Sequence, residues 1–131
     1  MALLSIYLVE DSVVIRDSLT ATLEDLAPVV VLATAADEET AVEWLGQAEH
    51  KVDLVIVDLF LAGGSGLGVL RRAATLDIDA KLVVLSNYAT PDMRRACLAL
   101  GADRVFDKSA DIDALILYCV NAAKAKTALA T

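Results

Sequence analysis

Basic residues are scarce in this chain: 11 Lys and Arg stand against 19 Asp and Glu, for a formal net charge of −8. Nucleic-acid affinity rests largely on Lys and Arg neutralising phosphates, so this balance argues against a direct DNA or RNA surface. Cysteine is almost absent. Cys97 and Cys119 sit inside helical patterns with neither metal-ligand nor redox spacing, and read as reduced packing residues. The one histidine, His50, lies in a polar connector, Glu49-His50-Lys51, and reads as a solvated loop residue with no second histidine to work with. Long hydrophobic runs are missing as well, since stretches such as 29–33 fall far short of the roughly 20 residues a membrane-spanning helix needs. The chain starts directly into a strand pattern without a basic stretch or small-residue cleavage site, so no signal peptide is expected and the simplest location is the cytoplasm.

What is present suits one domain. A length of 131 residues with 57% hydrophobic content is enough for a single core and leaves no room for a second, output-type domain. Short apolar, β-branched-rich runs at 5–9, 29–34, 53–57, 81–85 and 103–106 have strand length, and their near-continuous apolar character predicts burial on both faces, as in a parallel sheet. Between them the period lengthens to about 3.6. Ile15, Leu19, Leu23 and Leu26 share one helical face; so do Ala41, Leu45 and Ala48; Leu67, Leu70 and Ala74; Met93, Ala96, Cys97 and Leu100; and Ile112, Leu115, Ile116, Cys119 and Ala123. Thr90-Pro91-Asp92 supplies a helix N-cap, a first-turn proline and an early negative charge, while Gly101 and Pro28 follow helix ends. Five βα units with right-handed crossovers give an α/β fold: a doubly wound, five-stranded parallel sheet, order 2-1-3-4-5, with helices on both faces. The Ala/Lys-rich segment 122–131 reads as a helix end that frays.

In such sheets ligands bind outside the carboxyl ends of the strands, where the winding reverses. Polar side chains fall at those ends: Glu10 and Asp11, Asp58, Ser86 and Lys108. Three carboxylates brought together repel one another unless a cation offsets them, and magnesium, or manganese in its place, suits an all-oxygen donor set. A metal also helps a carboxylate act as nucleophile towards a phosphoryl group, and Lys108 and the Ser86 hydroxyl could hold the transferred oxygens.

Taken in order, Glu10-Asp11, Asp58, Ser86 and Gly101-Ala102-Asp103 leading to Lys108 resemble the signature of bacterial two-component response-regulator receiver domains, here of the stand-alone, chemotaxis-receiver kind with a flavodoxin-like fold. The resemblance covers essentially the whole chain. It implies that Asp58 accepts a phosphoryl group from a histidine kinase or histidine phosphotransfer protein, forming an aspartyl phosphate. Asp11 and Asp58 would ligate the metal directly, Glu10 through water, and the Phe60 backbone carbonyl would complete the protein ligands. Ser86 and Lys108 would bind the phosphoryl oxygens. It further implies no enzyme activity beyond the chain's own phosphorylation and dephosphorylation, with output by protein binding, through helix 4, strand 5 and helix 5, or by onward phosphotransfer. An inactive receiver-like interaction module is the alternative.

Several positions depart from the commoner pattern of that family. Ala62 and Ser109 stand where many relatives carry proline, and Val105 occupies the usual aromatic switch position, with Phe106 one place later. Other chemistries lack their residues. A phosphohydrolase with a nucleophilic Asp needs an acid two positions on, where Phe60 stands; a flavodoxin-like electron carrier needs a hydroxyl-rich loop that Asp11-Ser12-Val13-Val14 does not supply. The run Gly63-Gly64-Ser65-Gly66-Leu67-Gly68 lacks the Gly-Lys-Ser/Thr ending of a phosphate loop and reads as a flexible start to helix 3. Arg71-Arg72 reads as a solvated helix face, and Arg94-Arg95 as either that or part of a partner surface.

Overall fold

The strand runs are apolar at nearly every position because alternate residues face two separate cores. The computed structural model describes residues 2–130, the side chain of Ala130 excepted. Strands β1 (Leu4–Val9), β2 (Val29–Ala35), β3 (Leu54–Val57), β4 (Lys81–Ser86) and β5 (Arg104–Asp107) alternate with helices α1 (Val13–Leu26), α2 (Glu38–Leu45), α3 (Gly66–Ala73), α4 (Pro91–Ala99) and α5 (Ile112–Ala130). Every strand pairing is parallel and the order is β2-β1-β3-β4-β5, as the sequence implied. On one face Tyr7, Val9, Val55, Val57, Val84 and Val105 pack with residues of α2, α3 and α4; on the other Ile6, Leu8, Leu54, Ile56, Val83, Leu85 and Phe106 pack with residues of α1 and α5. This is the period-two alternation of a strand expressed as two hydrophobic layers. Cys97 belongs to the first and Cys119 to the second, both reduced.

Caps fix the helix starts. Ser12, Asp37, Ser65 and Thr90 each accept a hydrogen bond from the backbone N–H three residues on, and Gly101, at φ 106°, closes α4 in the left-handed region. Some helix faces differ from their sequence patterns. Along α1 only Leu19 and Leu23 are buried, with Ile15 and Leu26 exposed. In α3 Val69, Leu70 and Ala73 are buried and Leu67 packs partly buried against the same core, while Ala74 is exposed; Gly66 and Gly68, also buried, let the helix approach Asp58 and Glu38. Helix α2 stops at Leu45, which leaves Ala48 outside the core. Helix α5 continues through the segment expected to fray. Lys126 ties it to Asp53 Oδ2 at 2.7 Å and to the Leu3 carbonyl at 2.8 Å; Thr131 lies outside the described residues.

His50 is not a solvated loop residue. Its ring stacks on Trp44 at 4.2 Å, Trp44 stacks on buried Tyr7 at 4.1 Å, and His50 Nδ1 lies 2.8 Å from the Trp44 carbonyl oxygen. Among the described residues no helix is long and apolar enough to cross a membrane.

Candidate functional site

Strand register brings the polar strand ends side by side. The Asp58 N–H donates to the Val9 carbonyl, the Glu10 N–H to that of Ala35, and the Lys108 N–H to that of Ser86, so β1, β3, β4 and β5 finish level with one another. Glu10 and Asp58 are buried, at 2% and 8% exposure, while Asp11 reaches solvent; one carboxylate oxygen from each of the three lies within 4.8 Å of the others. Lys108 Nζ donates to Glu10 Oε1 at 2.5 Å and to Asp58 Oδ2 at 3.0 Å. Burial works against its charge, yet the hydrogen bonds to Glu10 and Asp58 outweigh that and hold its pKa above the ordinary lysine value.

The charge balance bears on whether a metal fits. Three carboxylates face one ammonium, so two negative charges remain unbalanced, and Asp11 makes no hydrogen bond or ion pair among the described residues. Hard oxygen donors with a doubly negative excess suit a divalent cation of the magnesium type.

Ser86 sits beside this cluster, fully buried, with its Oγ accepting from the Tyr88 N–H at 3.1 Å. Phe60, two residues beyond Asp58, and Tyr88 place their exposed rings against each other at 4.6 Å. The loop holding Phe60 is pinned closely. Glu38 Oε1 accepts from the Ser65 N–H at 3.0 Å, Phe60 pairs with Ser65 across an isolated bridge, and a Cβ on Gly66 would fall 2.2 Å from the Asp58 carbonyl oxygen. The glycine run is thus a requirement of close backbone approach, not only of a flexible helix start.

Residues outside the sequence pattern hold the site in place. Asp107 Oδ1 accepts from the N–H groups of Ser109 and Ala110, at 2.8 and 3.1 Å, and so fixes the turn behind Lys108; Asp-x-Ser in a turn was the available signal. The Lys108–Ser109 bond is trans, since no peptide among the described residues is cis. Arg72, with its side chain still 41% exposed, also pairs with Glu38 and Glu39 across α2 and α3. Arg94 and Arg95 also part company: Arg95 pairs with Asp92 on its own helix, whereas Arg94 reaches three other segments.

Comparison with known proteins agrees with this geometry. The family model of the response regulator receiver domain matches residues 6–119. Response regulator UvrY of Escherichia coli (strain K12) is 27% identical over 108 residues, 82% of this chain and 49% of the relative. Sporulation initiation phosphotransferase F of Bacillus subtilis (strain 168) is 31% identical over 65 residues, 50% of this chain and 52% of the relative. The chain therefore spans about half the length of these curated relatives. Among solved structures, a response regulator from Burkholderia pseudomallei with a phosphorylated aspartic acid, calcium ion and citrate is 26% identical, with a TM-score of 0.74 over 97% of this chain and 73% of the other. A Francisella receiver domain, 18% identical, shares the fold at a TM-score of 0.79 over 93% of this chain and 98% of the other. With the family model matched over residues 6–119, which reach all five strands of the parallel sheet, the chain belongs to the receiver domains of two-component response regulators.

Proposed function

We propose that Asp58 is the phosphoryl acceptor of a two-component system, with Glu10, Asp11, Asp58 itself and the Phe60 carbonyl supporting a divalent metal and Ser86 and Lys108 binding the phosphoryl oxygens. The observation that carries this reading is the meeting of Lys108 with Glu10 and Asp58 beside an unpaired Asp11. Magnesium or manganese held there would offset negative charge on the incoming phosphoryl group. The rest is the work of the chain. A carboxylate oxygen of Asp58 attacks phosphorus, the bond from phosphorus to the donor histidine nitrogen breaks, and the imidazole leaves with its electron pair. Lys108, already bonded to Asp58 Oδ2, stays within reach of the new phosphoryl oxygens, and the Ser86 hydroxyl still has its hydrogen to donate, because its oxygen is the acceptor for Tyr88. The phosphorylated aspartic acid and calcium ion of the Burkholderia pseudomallei structure support this assignment.

The donor on this reading is a histidine kinase or a histidine phosphotransfer protein, in the cytoplasm, and residues 1–131 act as one receiver domain. The chain catalyses its own phosphorylation and dephosphorylation and no other reaction. Its signal passes to a downstream protein over α4, β5 and α5, or onward as the phosphoryl group. Incubation with acetyl phosphate and magnesium is the test: one phosphoryl group should add to the protein and none to Asp58→Asn. A variant that still labels would move the acceptor elsewhere.

A further inference from the structure

Arg94 lies on α4, away from the carboxylates, yet its guanidinium joins three segments that meet at the phosphoryl site. Nε donates to the Ala89 carbonyl at 3.1 Å, Nη1 to the Val105 carbonyl at 2.7 Å, and Nη2 lies 3.5 Å from Asp111 Oδ2. Each contact leads to a site residue. Ala89 belongs to the loop after Ser86, and that loop is bonded to the Ser86 hydroxyl through the Tyr88 N–H. Val105 lies three residues before Lys108 on β5, the edge strand. Asp111 Oδ2 also accepts from the Asp107 N–H at 2.8 Å, so it braces the turn that carries Lys108 from the other side.

We infer that Arg94 is a positioning residue that couples the two phosphoryl-binding loops to each other and to α4. The planar guanidinium has several donors fixed in direction, which lets a single side chain hold two carbonyls and a carboxylate at once; a lysine ammonium cannot reproduce that span. The ion pair is partly exposed and contributes little by itself, so the two carbonyl bonds carry the coupling. Val105 is a stiff β-branched residue buried in the core and offers no large side-chain motion to connect β4 with β5. When Ser86 turns to a phosphoryl group, movement of the Ala89 carbonyl is passed through Arg94 to α4 and, by its bond to the Val105 carbonyl, to the end of β5 that leads into Asp107 and Lys108. This inference rests on Asp58 as the acceptor.

Two backbone amides report the two sides separately: Tyr88 N–H, bonded to Ser86 Oγ, and Asp107 N–H, bonded to Asp111 Oδ2. The experiment follows their NMR shifts, with those of the α4 amides, on adding beryllofluoride and magnesium to the wild type, Arg94→Met and Arg94→Lys. In the wild type all three should shift. In both variants the Tyr88 shift should persist while the Asp107 and α4 shifts fall to less than half, a split that general loss of stability would not produce. Should Arg94→Met fail to fold, Arg94→Lys alone decides. Full Asp107 and α4 responses in either folded variant, or a wild type in which Tyr88 responds and the others stay silent, would overturn the coupling. A wild type with no response at Tyr88 would instead remove the acceptor reading on which it rests.

Discussion

Lys108 Nζ lies 2.5 Å from Glu10 Oε1 and reaches Asp58 Oδ2 with the same ammonium, so a single positive charge is shared between two buried acids. Replacing it in Lys108→Met leaves both without that partner and should cost about 1–3 kcal/mol of stability at neutral pH. Added magnesium should recover part of the loss. Because the folded pKa of Lys108 is raised, its contribution is complete below the unfolded lysine value of about 10.4 and disappears as pH rises through the folded value. Urea unfolding of the two proteins should therefore show a constant difference from neutral pH to about 10 and a shrinking one above it.

Asp11 and Glu10 should differ as metal ligands. Glu10 is engaged on both oxygens, by Lys108 and by the Ser12 N–H at 3.2 Å, whereas Asp11 is exposed and unpaired among the described residues. In a magnesium titration Asp11→Ala should weaken affinity at least about tenfold, and Glu10→Gln by clearly less. Equal losses would contradict these roles.

The contact of Phe60 with Tyr88 beside the site should hinder an in-line water and slow loss of the phosphoryl group. Replacing both rings by alanine should shorten the phosphorylated lifetime severalfold, read by the decay of labelled protein after the donor is removed. An unchanged lifetime would mean that the rings do not shield the site.

Two glycines of the β3–α3 loop should respond differently to alanine. A Cβ on Gly68 would fall 2.0 Å from Glu38 Oε1, the movable end of a side chain, but on Gly66 it would meet the Asp58 backbone oxygen at 2.2 Å. Gly66→Ala should be the more destabilising, beyond the roughly 1–3 kcal/mol typical of overpacking. Adding Glu38→Ala should relieve Gly68→Ala and not Gly66→Ala, as a double-mutant cycle of unfolding free energies would show.

The strand ends and sheet order were legible because burial on two faces leaves a distinctive apolar run, and because polar residues directly after such runs must converge at one edge. Val105 and Phe106 face opposite cores by the same periodicity. What escaped the sequence are contacts between segments far apart in the chain. Nothing local distinguishes Arg94 from Arg95, since only the packing of α4 against β5 decides which guanidinium turns inward. Glu38 filling the space left by Gly64 and Gly68, and His50 stacking on Trp44, depend likewise on how α2 sits against its neighbours.

The most direct measurement is chemical location of the phosphoryl group. Protein treated with acetyl phosphate and magnesium would be reduced with borohydride, which converts an aspartyl phosphate to homoserine, and then mapped by peptide mass spectrometry. Homoserine should appear at position 58 and nowhere else, and only when magnesium is present. Homoserine at another aspartate, or a phosphoryl group that resists reduction, would contradict the assignment of Asp58.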